Sequence, residues 1–452
     1  MFHDPHRHQD ASGRRIAVIG AGMAGLSAAW LLSQRHPVRL YESADRIGGH
    51  ANTVEVETPA GPVNVDTGFI VYNAANYPNF VALLDHLGVE SLETNMSFAA
   101  SSGDGHFEYS SDLIGIMGQK RNLLRPFFWR MLADIARFYG HAGSLLDSPE
   151  IAGMSLGQFL DKHAYSQTLI DHHVLPMCAA IWSSSPEQIK AFPMQAFVRF
   201  FSSHQMFLLG RRINWRTVKG GSRTYVEALM RNFGGELEMG NGARSVTRGN
   251  GMVIVEDDRG QRDVFTDVVM ATHADTTLKL LADPDPLEQR LLGAFGYTDN
   301  VAVLHDDPSF MPKRRHVWAS WNYVADSAPD AQNQLCVSYW MNRLQGLDKR
   351  HNLFVTLNPG REPRESSVKR SFNYTHPLFD LGALEAQKDL WQLQGRRNSW
   401  FCGSYFGYGF HEDALQSGLA VAENFGVRRP WDVPNASGRI SLEPLSEVAA
   451  AE

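Results

Sequence analysis

Between Arg14 and Glu42 the chain reads RRIAVIGAGMAGLSAAWLLSQRHPVRLYE, and this stretch leaves few folds open to the rest. Ile16 to Ile19 are a short apolar run rich in β-branched residues, which predicts a strand buried on both faces of a parallel sheet. Gly20, Gly22 and Gly25 follow as G-x-G-x-x-G, with Ala21, Met23 and Ala24 between them. Leu26, Ala28, Ala29, Leu31 and Leu32 continue as a helix with an apolar face. A second strand, Val38 to Tyr41, ends in Glu42, about twenty residues beyond the first glycine. Each part has a mechanical reason. Gly20 permits a tight turn, Gly22 lets a pyrophosphate approach the backbone, and Gly25 lets helix and strand pack closely. The helix N-terminus offers N–H groups to the phosphates, and Glu42 can accept hydrogen bonds from a ribose diol. A lone G-x-G-x-x-G is equally a plain turn; strand, glycines, helix, strand and acid in this order predict dinucleotide binding.

Beyond Glu42 lies Ser43-Ala-Asp-Arg46-Ile-Gly48-Gly49-His50. An NAD domain normally runs straight on to another helix, whereas a second loop with an Arg and paired glycines suits a longer, bent cofactor. The stretch resembles the FAD-binding signature of the flavin amine oxidase and phytoene desaturase superfamily, in which an Arg-x-Gly-Gly loop follows the ribose-binding acid. That resemblance implies an α/β chain. Its Rossmann-like FAD-binding domain, a parallel sheet plus a three-stranded meander, is interleaved with an α+β substrate domain. The expected divisions are 14–96, 215–292 and 395–430 for FAD, and 97–214 and 293–394 for substrate. Residues 1–13 and 436–452 read as flexible tails.

At 452 residues the chain exceeds a usual single domain, so two domains with ample core are expected. A net charge of −7 gives no support to nucleic-acid binding. Cys178, Cys336 and Cys402 stand far apart, which predicts a reducing, cytoplasmic setting and neither a disulfide framework nor a metal cluster. The first residues lack the apolar core of a secretory signal, and no run of about eighteen apolar residues suggests a membrane span. Asp171-His172-His173 is a tempting metal ligand set, but adjacent histidines on a helix face different ways, and no metal is expected.

Thr53 to Thr58 alternates as a strand, turns at Pro59-Ala60-Gly61-Pro62 and returns as Val63 to Val65. Asp66-Thr67-Gly68-Phe69-Ile70 then resembles the family segment that passes close to the flavin ring; a hairpin exit with a glycine bulge is the other reading. Tyr77 to Leu87 reads as a helix ending at Gly88, and short strands follow over 97–113. From Pro126, the spacing of Phe128, Met131, Leu132, Ile135 and Phe138 predicts a helix. It is either a core helix or, with Trp129, Arg125 and Arg130, an amphipathic element touching lipid. Met194 to Trp215, with Arg211-Arg212 near its end, is a second such stretch. Gly220-Gly221-Ser222 leads a helix with Ser222 as N-cap. Ala243 to Arg248, Val253 to Glu256 and Val264 to Ala271 form the meander, and the resemblance puts Ala243 against the adenine. Aromatic residues and alternation around Leu335 to Trp340 and Leu353 to Leu357 predict a sheet.

Near the far end, Trp400-Phe-Cys402-Gly403-Ser404-Tyr405-Phe406-Gly407-Tyr408-Gly409-Phe410-His411-Glu412-Asp413-Ala414 precedes a helix from Leu415 to Asn424. Strand, glycine-rich loop and helix N-terminus again make an anion-friendly site. In amine-oxidase flavoproteins the matching stretch points its helix toward the flavin pyrimidine oxygen. The family usually has an acid where this chain has Ser404, and Gly where it has Asp413; Glu412 and Asp413 also suit a simple helix cap. Together these segments are similar to a bacterial branch related to the flavin-binding part of plant cyclopropane fatty acid synthases and to flavoproteins that desaturate methyl-branched acyl lipids.

The branch implies an FAD-dependent oxidoreductase acting on a fatty acyl chain. Its substrate would be an apolar molecule or lipid, met at a membrane surface, and a lipid methyltransferase or cyclopropane synthase would be a partner. His411 is the expected base and Tyr408 the expected orienting group. Double-bond isomerisation, amine or carotenoid-type oxidation and a non-catalytic flavin-loaded role are the alternatives. Amine oxidation is disfavoured because the lysine that amine oxidases keep near the flavin has no evident counterpart.

Overall fold

The computed structural model of the chain describes residues 13–146, 148–182, 185–204, 206–207, 213–325 and 336–433. Arg211-Arg212, Leu335 and, apart from Gly13, both expected tails lie outside these residues.

Five parallel strands carry the front of the chain, in the order Glu236–Met239, Val38–Glu42, Ile16–Ile19, Asp267–Met270, Ser399–Phe401. The strand Ile16–Ile19 is apolar throughout because both its faces are covered. Ile16 and Val18 join one core cluster with the first helix, while Ala17 and Ile19 join another with Val246, Val253 and Phe265 of the meander. The meander itself pairs Ala243–Gly249, Met252–Asp257 and Arg262–Phe265 antiparallel. The sequence predicts its third strand running on to Ala271. Instead the chain breaks at Thr266, whose hydroxyl bonds the backbone of Arg15, and Asp267–Met270 enters the parallel sheet. Wholly buried Val268, Val269 and Met270 suit that sheet and not an exposed meander edge.

The first helix, Met23–Leu32, is buried on every side, including Ser27 and Trp30, and so is not the one-faced helix its pattern predicts. The closing helix, His411–Glu423, lies across it backbone to backbone. A Cβ on Gly418 would stand 2.1 Å from the Ala24 carbonyl oxygen, and the Ser27 hydroxyl donates to the carbonyls of Ala24 and Leu415. The two segments most distant in sequence are thus the two most tightly apposed helices.

Seven strands form a second sheet, in the order Val368–Leu378, Gly296–His305, Phe354–Leu357, Val337–Trp340, Trp321–Ala325, Phe98–Ser102, Phe107–Ser110. All pair antiparallel except Trp321–Ala325 with Phe98–Ser102. The largest core cluster lies between this sheet and the helices of residues 126–203.

Local expectations fare unevenly. Pro78–Leu87 ends at Gly88 in the left-handed region, as predicted. The hairpin Thr53–Thr58/Gly61–Asp66 turns through Pro59-Ala60 alone, shorter than expected, with Gly61 at φ +108°. Pro126–Gly143 buries Phe128 completely and leaves Trp129 exposed, so only Trp129 of that pair remains available to lipid. Among the described residues the second amphipathic stretch is helical over Met194–Ser203, and from Trp215 the chain is a strand paired with Ser91–Thr94 and Tyr72–Asn73. Ser222 does not cap the helix Arg223–Arg231, because its hydroxyl is given to Asp66.

Candidate active site

A single cavity of about 2060 Å³ opens between the C-terminal ends of the parallel strands and the seven-stranded sheet. Open parallel sheets present ligand sites at this edge, where loop and helix N-termini converge. A drug-sized ligand needs roughly 300–1,000 Å³, so the space admits a dinucleotide and a second molecule together.

Both glycine turns reach it. Gly20, Gly22, Met23 and Ala24 line the cavity at one end of the chain, and Gly403, Ser404, His411 and Ala414 at the other. Gly20 sits at φ +99°, where only glycine is unstrained. A Cβ on Gly22 would meet no protein atom within 4 Å, so the missing side chain leaves open cavity. Gly25 and Ala21 are not on the wall. A Cβ on Gly25 would lie 1.8 Å from the Gly20 carbonyl oxygen, which is the close packing its place in the motif predicts. Ala21 donates its N–H to Glu42 Oε2 (2.8 Å), tying the turn to the acid at the second strand's end. Glu42 Oε1 accepts from Ala44 N (2.9 Å), and Glu42, Ser43 and Ala243 stand together on the wall.

The Arg-x-Gly-Gly loop closes over the first turn. Gly48 N–H donates to the Ala21 carbonyl, and a Cβ on Gly49 would touch Gly22 Cα at 3.1 Å. Arg46 is off the wall: its Nη1 donates to Gly49 O (2.7 Å), holding the loop from behind. His50, Thr67, Gly68 and Phe69 are on it. A Cβ on Gly68 would meet the His50 carbonyl at 2.3 Å, so this glycine admits a backbone crossing sealed by Phe69 N–H to His50 O.

Three carboxylates expected at the cofactor face elsewhere. Asp66 Oδ1 accepts from Thr53 Oγ1, Ser222 N and Ser222 Oγ, and Oδ2 from Gln345 Nε2, a fully internal role. Burial outweighs these donors and pushes its carboxyl up to about 6. Glu412 grips the start of the helix Pro78–Leu87, accepting from Asn79 N and Nδ2 and from Phe80 N. Asp413 Oδ2 accepts from Tyr408 N and Phe410 N and shapes the loop ahead of its own helix. Acids near helix starts were ambiguous in the sequence; the helical positions of Glu412 and Asp413 explain why both turn inward.

His411 lines the cavity but is held on two sides. Its ring stacks on Phe69 at 3.9 Å between centroids, and its Nε2 bonds the Tyr225 hydroxyl at 2.8 Å. Burial pushes its pKa down to about 3, so it is neutral and a weak base. Tyr408 is a half-buried wall residue.

Two clusters on the same wall escaped the sequence. His50, His273 and the strand pair Tyr374 and His376 are gathered from three remote segments, with His50 5.4 Å from His376 and 4.9 Å from Tyr374 between centroids. His50 Nε2 is buried with no hydrogen-bond partner among the described residues, a polar atom a ligand can satisfy. Desolvation holds all three histidines below the ordinary value, so the cluster is neutral. In the second cluster Tyr139 Oη, His173 and Tyr109 Oη form a line, with contacts of 2.8 Å at Nε2 and 2.9 Å at Nδ1. Tyr109 gives its proton to the His172 carbonyl, so Nδ1 is the donor and Nε2 accepts from Tyr139. The His172-His173 pair was the visible signal, read only as a metal question. Around this line Met96, Phe98, Leu132, Ile135 and Met177 make the wall apolar.

The residues present fit FAD: an open approach at Gly22, an acid at the second strand's end, a second helix start on the same cavity and an unmet polar atom at His50. The family model described as flavin containing amine oxidoreductase matches residues 23–349. Protoporphyrinogen oxidase 2 of Arabidopsis thaliana is 24% identical over 205 residues, which is 41% of this chain and only 35% of that protein's length. A probable zeta-carotene desaturase of Synechococcus elongatus is 24% identical over 371 residues, covering 75% of this chain and 69% of the other. The CLA-producing fatty acid isomerase from P. acnes shares the fold, with a TM-score of 0.64 at 16% identity over 92% of this chain and all of that one.

Proposed function

Because the chain belongs to the flavin containing amine oxidoreductase family and is an FAD-dependent enzyme, we propose that it removes hydrogen from the acyl chain of a lipid, leaving a double bond. The observation that carries this reading is the apolar lining of a cavity of about 2060 Å³, more space than FAD with a small polar substrate requires. The relatives lend support, since a carotene desaturase and a fatty acid isomerase are both named for long apolar substrates. Amine oxidation is less favoured: no lysine lines the cavity among the described residues.

Desaturation takes a hydride from one carbon and a proton from its neighbour; FAD, when bound, supplies the hydride acceptor. The chain supplies the rest. Met96, Phe98, Leu132 and Ile135 exclude water from the reacting carbons. A proton taken up at Tyr139 Oη would release that hydroxyl's own proton to His173 Nε2, along the bond already made. Burial holds His173 down to about 4, so it is a weak base like His411 and keeps the proton only transiently. His411, stacked and tied to Tyr225, and Tyr408 serve to orient the substrate and its loop.

Contact with a bilayer belongs to the same reading. Ile114, Met117, Leu124 and Trp129 are exposed apolar side chains on neighbouring segments, interspersed with exposed Lys120, Arg121 and Arg130. No described helix is long and apolar enough to cross a membrane. Flotation with anionic liposomes should carry the protein upward, and Leu124→Ser with Trp129→Ser should leave it at the bottom; unchanged flotation rejects the contact. A lipid methyltransferase or cyclopropane synthase partner remains a proposal that co-purification would test.

The decisive experiment mixes the holoprotein anaerobically with branched-chain phospholipids or fatty acids. Lasting loss of visible flavin absorbance, with a new double bond in the extracted lipid, is the expected result. A moved double bond without net bleaching overturns desaturation in favour of isomerisation, and no change in either indicates a non-catalytic role.

A further inference from the structure

We propose that Arg315 is a head-group site: it holds the carboxylate or phosphate of an amphiphile whose chain lies in the apolar half of the cavity. This rests on the acyl-chain reading and adds to it the charge that the substrate must carry.

Arg315 begins the short turn Arg315–Val317 and is part of the cavity wall. Its guanidinium lies 3.8 Å from the ring centroid of Trp318 and 4.6 Å from that of Trp340, two indoles set edge to face. Stacking of this kind fixes the plane of the guanidinium and leaves its N–H edge for a ligand. One contact to Asn352 Oδ1, at 3.3 Å, is its only polar bond among the described residues.

Three neighbouring cations are matched by acids. Lys313 pairs with Asp104, Arg314 with Glu108 and Arg343 with Asp112, each at 2.7 Å. No carboxylate pairs with Arg315 among the described residues, although the chain as a whole carries a net charge of −7. A cation left over on an acidic protein, on a cavity wall and held by two aromatic faces, has the form of an anion receptor. Carboxylates and phosphates are the groups whose paired oxygens match a guanidinium edge.

The same cavity continues past Ile116 to Leu132 and Ile135, which recognise no charge. Beside Arg315 it reaches the surface, where Ile114 is 77% exposed. A ligand matching both halves has an anionic end and a long apolar remainder. A cationic amine is opposed at the same place.

The test titrates the holoprotein with palmitate, hexadecyl phosphate and methyl palmitate, following flavin absorbance and tryptophan emission. At least one anionic amphiphile should bind about tenfold or more tightly than the ester, as a charge-assisted contact requires. Arg315→Gln should bring that ligand to the level of the ester, leave ester binding within about twofold, and leave flavin content and melting temperature unchanged; Arg315→Lys should retain part of the preference. Preference for palmitate identifies a free fatty acid, and preference for the alkyl phosphate a phospholipid. Equal binding of ester and anions, or a preference that survives Arg315→Gln, overturns the head-group site alone. Failure of every chain-bearing ligand to bind, the ester included, overturns the acyl-chain reading and this inference with it.

Discussion

Gly22 and Gly25 stand three residues apart and do opposite work. Alanine at position 25 would drive a Cβ into the Gly20 carbonyl at 1.8 Å, so Gly25→Ala should cost ~3 kcal/mol or more and yield little folded protein by thermal unfolding. Alanine at position 22 meets no protein atom, and the apoprotein should melt as the wild type does. Its methyl group instead takes the space of the ligand, so Gly22→Ala should weaken FAD binding by at least about tenfold on titration, roughly 1.4 kcal/mol. Asp66 makes a pH-dependent contribution. Its folded pKa of about 6 lies above an ordinary 3.8, so the folded state holds the extra proton between those values. Stability from this group is therefore fully present below about pH 4 and is lost as pH rises through 6, about 3 kcal/mol in all. Relative to Asp66→Asn, the wild-type unfolding free energy should fall between pH 4 and 7; a parallel pair of curves would refute this. Glycine roles were legible because backbone sterics are local. Thr53 is 13 residues from Asp66, but its other partners, Ser222 and Gln345, lie 156 and 279 residues away, and nothing near it in sequence points to them.

At the scale of elements, Glu412 joins two helices. Both its oxygens accept from the first turn of Pro78–Leu87, while the residue itself belongs to the first turn of His411–Glu423. Glu412→Gln keeps an acceptor but removes the charge facing that N-terminus, and should destabilise by ~1–2 kcal/mol in denaturant unfolding. Flavin content should not change, since the carboxylate is not on the cavity wall; a colourless Gln variant that still folds would return Glu412 to the cofactor. Periodicity placed the helix Pro126–Gly143 correctly and gave its inward side as Phe128, Met131, Leu132, Ile135 and Phe138, of which all but the half-buried Leu132 are buried. It failed on Met23–Leu32, because a helix wrapped by neighbours loses the polar side that a pattern search relies on.

The whole molecule is arranged about a cavity of about 2060 Å³ that divides the parallel sheet from the seven-stranded one. Space of this size contributes no packing when empty. Stripping the flavin should therefore lower the melting temperature, and returning FAD at a hundred times its Kd should restore about 2.7 kcal/mol of stability. A melting temperature indifferent to FAD would mean that the cofactor does not bind where the two turns meet. The Rossmann-like turn and the second glycine loop are legible in residues 14–50 alone, because each depends on neighbouring residues whose backbone demands are written locally, and the family resemblance they carry leads from there to FAD. Which acids face the cavity, which histidines gather there and that Arg315 meets no carboxylate among the described residues emerge only once the chain has folded. Those properties depend on desolvation and on contacts between segments hundreds of residues apart, and burial is not a property of any residue until the chain has closed around it.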